Sequence, residues 1–129
     1  MNKGILITGA VFGALAVILG AFGAHGLKNL VDPDSVKTFE TGVKYQMYHA
    51  LLLLLVGGNT LLSNSTKTTI MYLVIAGIIL FSGSIYGLST NSLTSFDFRK
   101  IGFITPIGGA LLIAAWCVLI YKFIQLRNL

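Results

Sequence analysis

Four stretches without an Asp, Glu, Lys or Arg dominate the chain: residues 4–27, 45–66, 68–96 and 101–121, of 24, 22, 29 and 21 residues. A helix rises about 1.5 Å per residue, so a hydrocarbon core of about 30 Å takes roughly 20 residues. The pattern predicts membrane helices over about 4–24, 45–62, 69–88 and 101–121. In the first, Gly9, Gly13, Ala16, Gly20 and Gly23 recur at steps of 4, 3, 4 and 3, which puts all five on one helix face. Lipid tails are as apolar as leucine, so burial alone does not join helices in a bilayer, whereas close backbone approach along small residues does. That face is expected to pack on another helix of the chain, and a dimer interface would carry the same pattern. Ile5, Leu15, Ile18 and Leu19 fall to lipid or to other core positions.

The polar stretch Leu27–Lys44 carries the signals of a helix start. Asp32 is a cap, Pro33 suits the first helical position, and Val31 with Val36 forms a hydrophobic staple. Val36, Phe39, Val43 and Met47 follow at helical spacing, and Glu40 precedes Lys44 by four residues, the favourable ion-pair order. A short amphipathic helix over about 33–42 is therefore expected at the membrane interface, bending near Gly42 into the second span. Pro106 either starts helix four, with Thr105 as cap, or kinks it and frees the Gly102 carbonyl.

Composition confirms the class. The chain is 55% hydrophobic and 10% charged, with a mean hydropathy of +0.86, against about 25% charged in a soluble domain. A soluble enzyme, a disordered tail and a disulfide scaffold are excluded. The net charge of +5 comes from bases scattered among loops, which suits topology and lipid headgroups, with no nucleic-acid partner expected. Cys117, the single cysteine, reads as a small buried apolar residue, and Trp116 as a packing or lipid contact. The apolar run Ile5–Phe22 exceeds the usual h-region of a signal peptide, so it reads as a retained span. The expectation is an all-α integral membrane four-helix bundle, one domain over 1–129.

Antiparallel threading puts His25, Tyr45, Gln46, His49, Ser82, Ser84, Tyr86, Thr105 and Pro106 near one membrane surface, together with Glu40. All four acids, Asp32, Asp34, Glu40 and Asp97, lie on that side, with Lys28, Lys37, Lys44, Arg99 and Lys100. The other side has only Lys3, Lys67, Lys122 and Arg127. Base counts nearly tie, and Lys3 with the basic tail points to a cell-membrane protein with both termini cytoplasmic.

Ala21-Phe22-Gly23-Ala24-His25, Phe39-Glu40-Thr41-Gly42 leading to Tyr45-Gln46-Met47-Tyr48-His49, Phe81-Ser82-Gly83-Ser84-Ile85-Tyr86 and Thr105-Pro106-Ile107-Gly108-Gly109 resemble the signature blocks of the domain-of-unknown-function 423 family. These are small bacterial inner-membrane proteins of the YgdD type. The resemblance implies a multi-pass membrane protein of about this length and no particular activity.

Tyr45, Gln46 and His49 share one face of span two, and an intramembrane histidine marks a functional site by default. Gln46 and His49 are expected to tie span two to the serines of span three, with His25 a plausible neighbour of His49. Proton handling by that pair is the competing reading. His25, Glu40 and His49 make a weak metal set, and no metal or cofactor is expected. Ser84 with His49 as a protease pair lacks room for a water cavity in four short spans. Gly83 and Gly87, and Gly108 and Gly109, read as helix-packing positions; Tyr45, Tyr48 and Tyr86 fit an interfacial aromatic belt. The function expected is a non-enzymatic envelope protein that associates with itself or a membrane partner. The alternative is a small transporter or channel component that uses the polar cluster.

Overall fold

Asn2, Asp32 and Ser63 each turn a side-chain oxygen onto the N–H groups of a starting helix. Asn2 accepts from Ile5 at 3.1 Å, Asp32 from Ser35 at 2.7 Å and Ser63 from Thr66 at 3.2 Å. The computed structural model describes residues 2–127, so residues 1, 128 and 129 of the expected domain lie outside the described residues. Its helices are α1 (Lys3–His25), α2 (Pro33–Gly58), α3 (Asn64–Ser89) and α4 (Ile104–Ile124). Short 3-10 turns occupy Leu27–Asn29, Asn91–Leu93 and Phe98–Ile101. Bonds from the Ser35 backbone and then its hydroxyl hold the exposed Asp32 carboxyl below its usual range. The charged cap is therefore complete above the ordinary carboxylate pKa and weakens only as pH falls through the lowered value.

Helix α2 corrects two expectations. Residues 33–42 are helical, capped by Asp32 with Pro33 first, but they run without a break through Gly42 into the span. The 26 residues form one element, about 39 Å long at 1.5 Å per residue, so its first turns extend beyond the hydrocarbon. Gly42 is instead a contact point: a Cβ there would lie 2.8 Å from the Tyr86 ring and 3.0 Å from Ile85. Among the described residues the ion pair formed is Arg99–Asp97 at 3.0 Å; Glu40 and Lys44 do not form one.

Packing follows the chain order, α1 on α2, α2 on α3 and α3 on α4, which places α1 and α4 on opposite sides of a central α2–α3 pair. The glycine face of α1 lies on α2. Gly9 meets the Ala50 carbonyl and Leu53, Gly20 meets Val43, and Gly23 meets Phe39, while Ala16 is buried. The same register puts Gly57 under Leu6 and lets the Asn2 N–H donate to the Gly57 carbonyl at 3.1 Å. Helix α2 thus travels the full length of α1 and crosses the same thickness. By length and composition α1, α3 and α4 are apolar enough to cross alone; α2 is not among them. Its return across the bilayer depends on what it packs against.

The half of the bundle near the termini is apolar inside, with Ile5, Leu53, Ile70, Val74 and Ala115 fully buried or nearly so. Lys67 is buried at its edge and donates from Nζ to the Asn59 carbonyl, placing positive charge at the C-terminal end of α2. Cys117 is exposed on α4 rather than buried as expected.

The tightest approach is between α3 and α4. A Cβ on Gly108 would fall 2.3 Å from the Phe81 backbone nitrogen and 2.7 Å from the Leu80 carbonyl carbon, so neither can yield without moving a helix. On neighbouring Gly109 it would meet the Phe81 ring at an ordinary 3.5 Å. Gly108→Ala is expected to destabilise the protein by about 1–3 kcal/mol, as overpacking does, with Gly109→Ala close to neutral. Thermal unfolding of both variants in mild detergent checks this, and equal stabilities would contradict the close approach.

Candidate functional site

Two polar residues of α2 point inward. Gln46 is 3% exposed and His49 4%, on the side of α2 facing the other helices. The Gln46 Nε2 group donates to the Phe12 carbonyl of α1 at 2.9 Å, and its Oε1 accepts from the Tyr86 hydroxyl of α3 at 2.6 Å. One amide therefore joins three helices. The fully buried Ser82 hydroxyl donates to the Gly42 carbonyl at 2.7 Å, where the missing Cβ of Gly42 lets α3 approach. On α3 and α4, Ser84 and Thr105 pair through their hydroxyls.

His49 has a partner on each ring nitrogen. Nδ1 lies 2.7 Å from the Tyr45 carbonyl, and Nε2 lies 3.0 Å from the indole Nε1 of Trp116 on α4. A carbonyl only accepts and an indole N–H only donates, so the pair of contacts assigns the neutral tautomer with the proton on Nδ1. Nε2 has its lone pair on the indole. Ring packing supports the geometry: Tyr45 stacks at 6.4 Å and Trp116 stands edge-on at 5.9 Å.

Several expectations change. Gln46 and His49 do not bond the serines of α3; Gln46 takes Phe12 and Tyr86, His49 takes Tyr45 and Trp116, and the serines bond elsewhere. The cluster also runs deeper than the membrane surface. Phe12 lies near the middle of α1 and Trp116 near the middle of α4, so Gln46 and His49 sit at mid-bundle. His25 is exposed at the end of α1, where its carbonyl accepts from Asn29 at 3.3 Å. His49 sits at the level of Gly13, whose absent Cβ faces Ala50, and His25 is twelve residues further along, about 18 Å. Glu40 is exposed too, beside Lys28 and Lys37 in a surface groove. The structure therefore does not bring His25, Glu40 and His49 together.

Tyr86 leaves the aromatic belt and turns its ring onto Phe39, at 4.9 Å between centroids, while Tyr45 and Tyr48 remain exposed. Pro106 is the third residue of α4, behind Phe103 as N-cap; Thr105 is not the cap, and the Gly102 carbonyl accepts from the Thr105 N–H at 3.3 Å. A first-turn proline sacrifices no helical bond. Gly87 packs beneath Phe98 of the following loop, and at Gly83 a Cβ would meet nothing within 4 Å. That loop is tied by Asn91, which accepts from the Phe98 N–H at 2.8 Å, and by Asp97, whose carboxyl Arg99 holds below its usual range. Trp116 is the residue that sequence reasoning missed. Its signal was available, since an indole N–H at mid-span needs an acceptor.

This is the arrangement of a membrane protein, and its relatives agree. Residues 19–109 match the family described as protein of unknown function (DUF423). The chain belongs to the DUF423 family. It is 42% identical to the UPF0382 membrane protein YwdK of Bacillus subtilis (strain 168), over 92% of this chain and 94% of that one. It is 40% identical to the UPF0382 membrane protein SAB0533 of Staphylococcus aureus (strain bovine RF122 / ET3-1), over 92% and 93%. It is 35% identical to a UPF0382 membrane protein of Haemophilus influenzae over the whole of both chains. No solved structure matches it significantly. This DUF423 chain is an all-α, multi-pass integral membrane bundle.

Interhelical bonds of this kind average about 0.6 kcal/mol in membranes and reach about 1.7. A cycle of Gln46→Leu, Tyr86→Phe and the double variant should give a coupling in that range, read from unfolding in detergent; zero coupling would remove the bond. Nitrogen NMR should show His49 protonated at Nδ1 alone. In Trp116→Phe the Tyr45 carbonyl should keep the proton on Nδ1, while the Nε2 signal shifts as it loses the indole donor; a proton found on Nε2 in the parent chain would contradict both contacts.

Proposed function

We propose that this chain is a non-enzymatic protein of the cell membrane, with both termini cytoplasmic, that acts by associating with itself or another membrane protein. One observation carries the reading: the buried polar groups are bonded within the bundle, to backbone carbonyls and to one another. Among the described residues every buried side-chain nitrogen or oxygen has a hydrogen-bond partner. Ser84 is engaged by Thr105 and the free lone pair of His49 by Trp116, which argues against a nucleophile and base held ready for chemistry. The transporter reading is disfavoured on the same ground: Gln46 and His49 each line a surface cleft, but their polar atoms are bonded to Phe12, Tyr86, Tyr45 and Trp116 rather than left for a solute.

The glycine face of α1 is covered by α2, so association is assigned to another surface. The face between α2 and α4 fits best. Two clefts, of about 310 and 260 Å³, meet there at Trp116 and are lined by apolar side chains including Leu55 and Ile113. Leu55 is 71% exposed and Ile113 65%, on a face where a partner helix would gain packing contacts. Single cysteines at Leu55 or Ile113, in a Cys117→Ser background, should cross-link in native membranes to a second copy or to another membrane protein. A cysteine at Ile18, on the outer side of α1, should not. Cross-linking no better at α2–α4 than at Ile18 would defeat the assignment, and impermeant label reaching Ser65→Cys from outside would reverse the orientation.

A further inference from the structure

We propose that the cleft between the start of α3 and the end of α4 binds the phosphate headgroup of an anionic phospholipid. The cleft encloses about 400 Å³ and is lined by Ser65, Thr66 and Thr69 on one wall and Cys117, Tyr121 and Lys122 on the other. The two walls belong at one level because α3 and α4 are antiparallel, with Phe81 against Gly108 and Ser84 against Thr105. Extending that register pairs the first turn of α3 with the last turn of α4, so the opening lies at the membrane surface. Its depth along α4, from Lys122 to Cys117, is about 7.5 Å at 1.5 Å per residue, the zone of phosphate and glycerol rather than of acyl chains alone.

The chemistry of the walls selects the ligand. Thr66 accepts from the Ser63 hydroxyl at 3.0 Å, which leaves its own proton to donate. The Ser65 hydroxyl is exposed. Lys67 is engaged by the Asn59 carbonyl, so Lys122, standing 5.7 Å from the Tyr121 ring centroid, is the cation that the cleft presents. The four acids of the chain all lie at the opposite face, leaving this rim with bases and hydroxyls. Donors and one cation suit a phosphodiester, and a lipid without a headgroup amine adds no charge to oppose Lys122. Below them Cys117, Val118 and Tyr121 offer an apolar surface to the start of the acyl chains.

The test is native mass spectrometry of the full chain in a neutral detergent, titrated separately with phosphatidylglycerol and phosphatidylcholine. The expected result is preferential retention of one phosphatidylglycerol. Lys122→Gln should weaken it by about fivefold, the effect of one basic residue near a charged lipid surface. Thr66→Val should weaken it further in the same direction, while Lys44→Gln, on the opposite face, should leave it unchanged. Equal retention of the two lipids would overturn the proposal, as would equal weakening by Lys44→Gln and Lys122→Gln. Displacement by millimolar inorganic phosphate would make this a phosphate site instead. A dimer that persists with no lipid bound, and is lost in Lys122→Gln, would assign the cleft to a second copy.

Discussion

A glutamine in the middle of a bilayer cannot be solvated by its surroundings, and the rest of this bundle is arranged around that fact. Each unmet donor or acceptor in hydrocarbon costs several kcal/mol, whereas the bond that meets it adds only about 0.6 on average. The constraint is therefore stronger than the attraction. Gln46 rides on α2, the helix not among those apolar enough to cross by themselves. Its Nε2 reaches the Phe12 carbonyl, one turn from Gly9 and next to Gly13, where α1 comes close to α2. The small-residue stripe and the buried amide are thus one device: without the stripe the carbonyl would stand too far away, and without the amide α2 would have less reason to accept α1.

The same logic repeats at each contact, with a glycine opening the approach and a polar side chain using it. Gly42 admits α3, and Ser82 bonds the carbonyl exposed there. Gly108 admits Phe81, and one helical turn away Ser84 meets Thr105. The link from α2 to α4 is of a different kind, because His49 and Trp116 reach across with long side chains instead of letting backbones meet. That link is also the one sensitive to protonation: a proton on Nε2 would face an indole N–H, and the bond would be lost.

What the sequence made legible were periodic features. Charge gaps mark the spans because a hydrocarbon core has a fixed thickness, and the α1 stripe marks a packing face because its period matches the helix. Asp32-Pro33 marked a helix start for local reasons that tertiary structure did not override. The failures share a cause. Gly42 reads as a bend because glycine in a helix costs about 1 kcal/mol, yet here the packing of Tyr86 and Ile85 against it offsets that cost. Tyr86 reads as an interfacial anchor, and only a partner forty residues earlier in the chain turns it inward. No local pattern encodes which residue lies opposite in another helix, so pairs such as His49 with Trp116 were out of reach of spacing arguments.

The consequence for function runs against the first impression. Polar residues concentrate toward the loop between α1 and α2, and that concentration invites the search for a site there. Yet those groups are met by backbone carbonyls and by one another, and a group already bonded has little left to offer a ligand. The opposite end of the bundle has fewer polar residues, an apolar interior and a rim of bases and hydroxyls. Lys67 there is turned to the end of α2, where a cation suits the helix dipole, and this leaves Lys122 facing outward. In a membrane protein the chemistry open to the surroundings is what the fold does not use to hold itself together. For this chain that remainder lies at the basic end, and along the α2–α4 face.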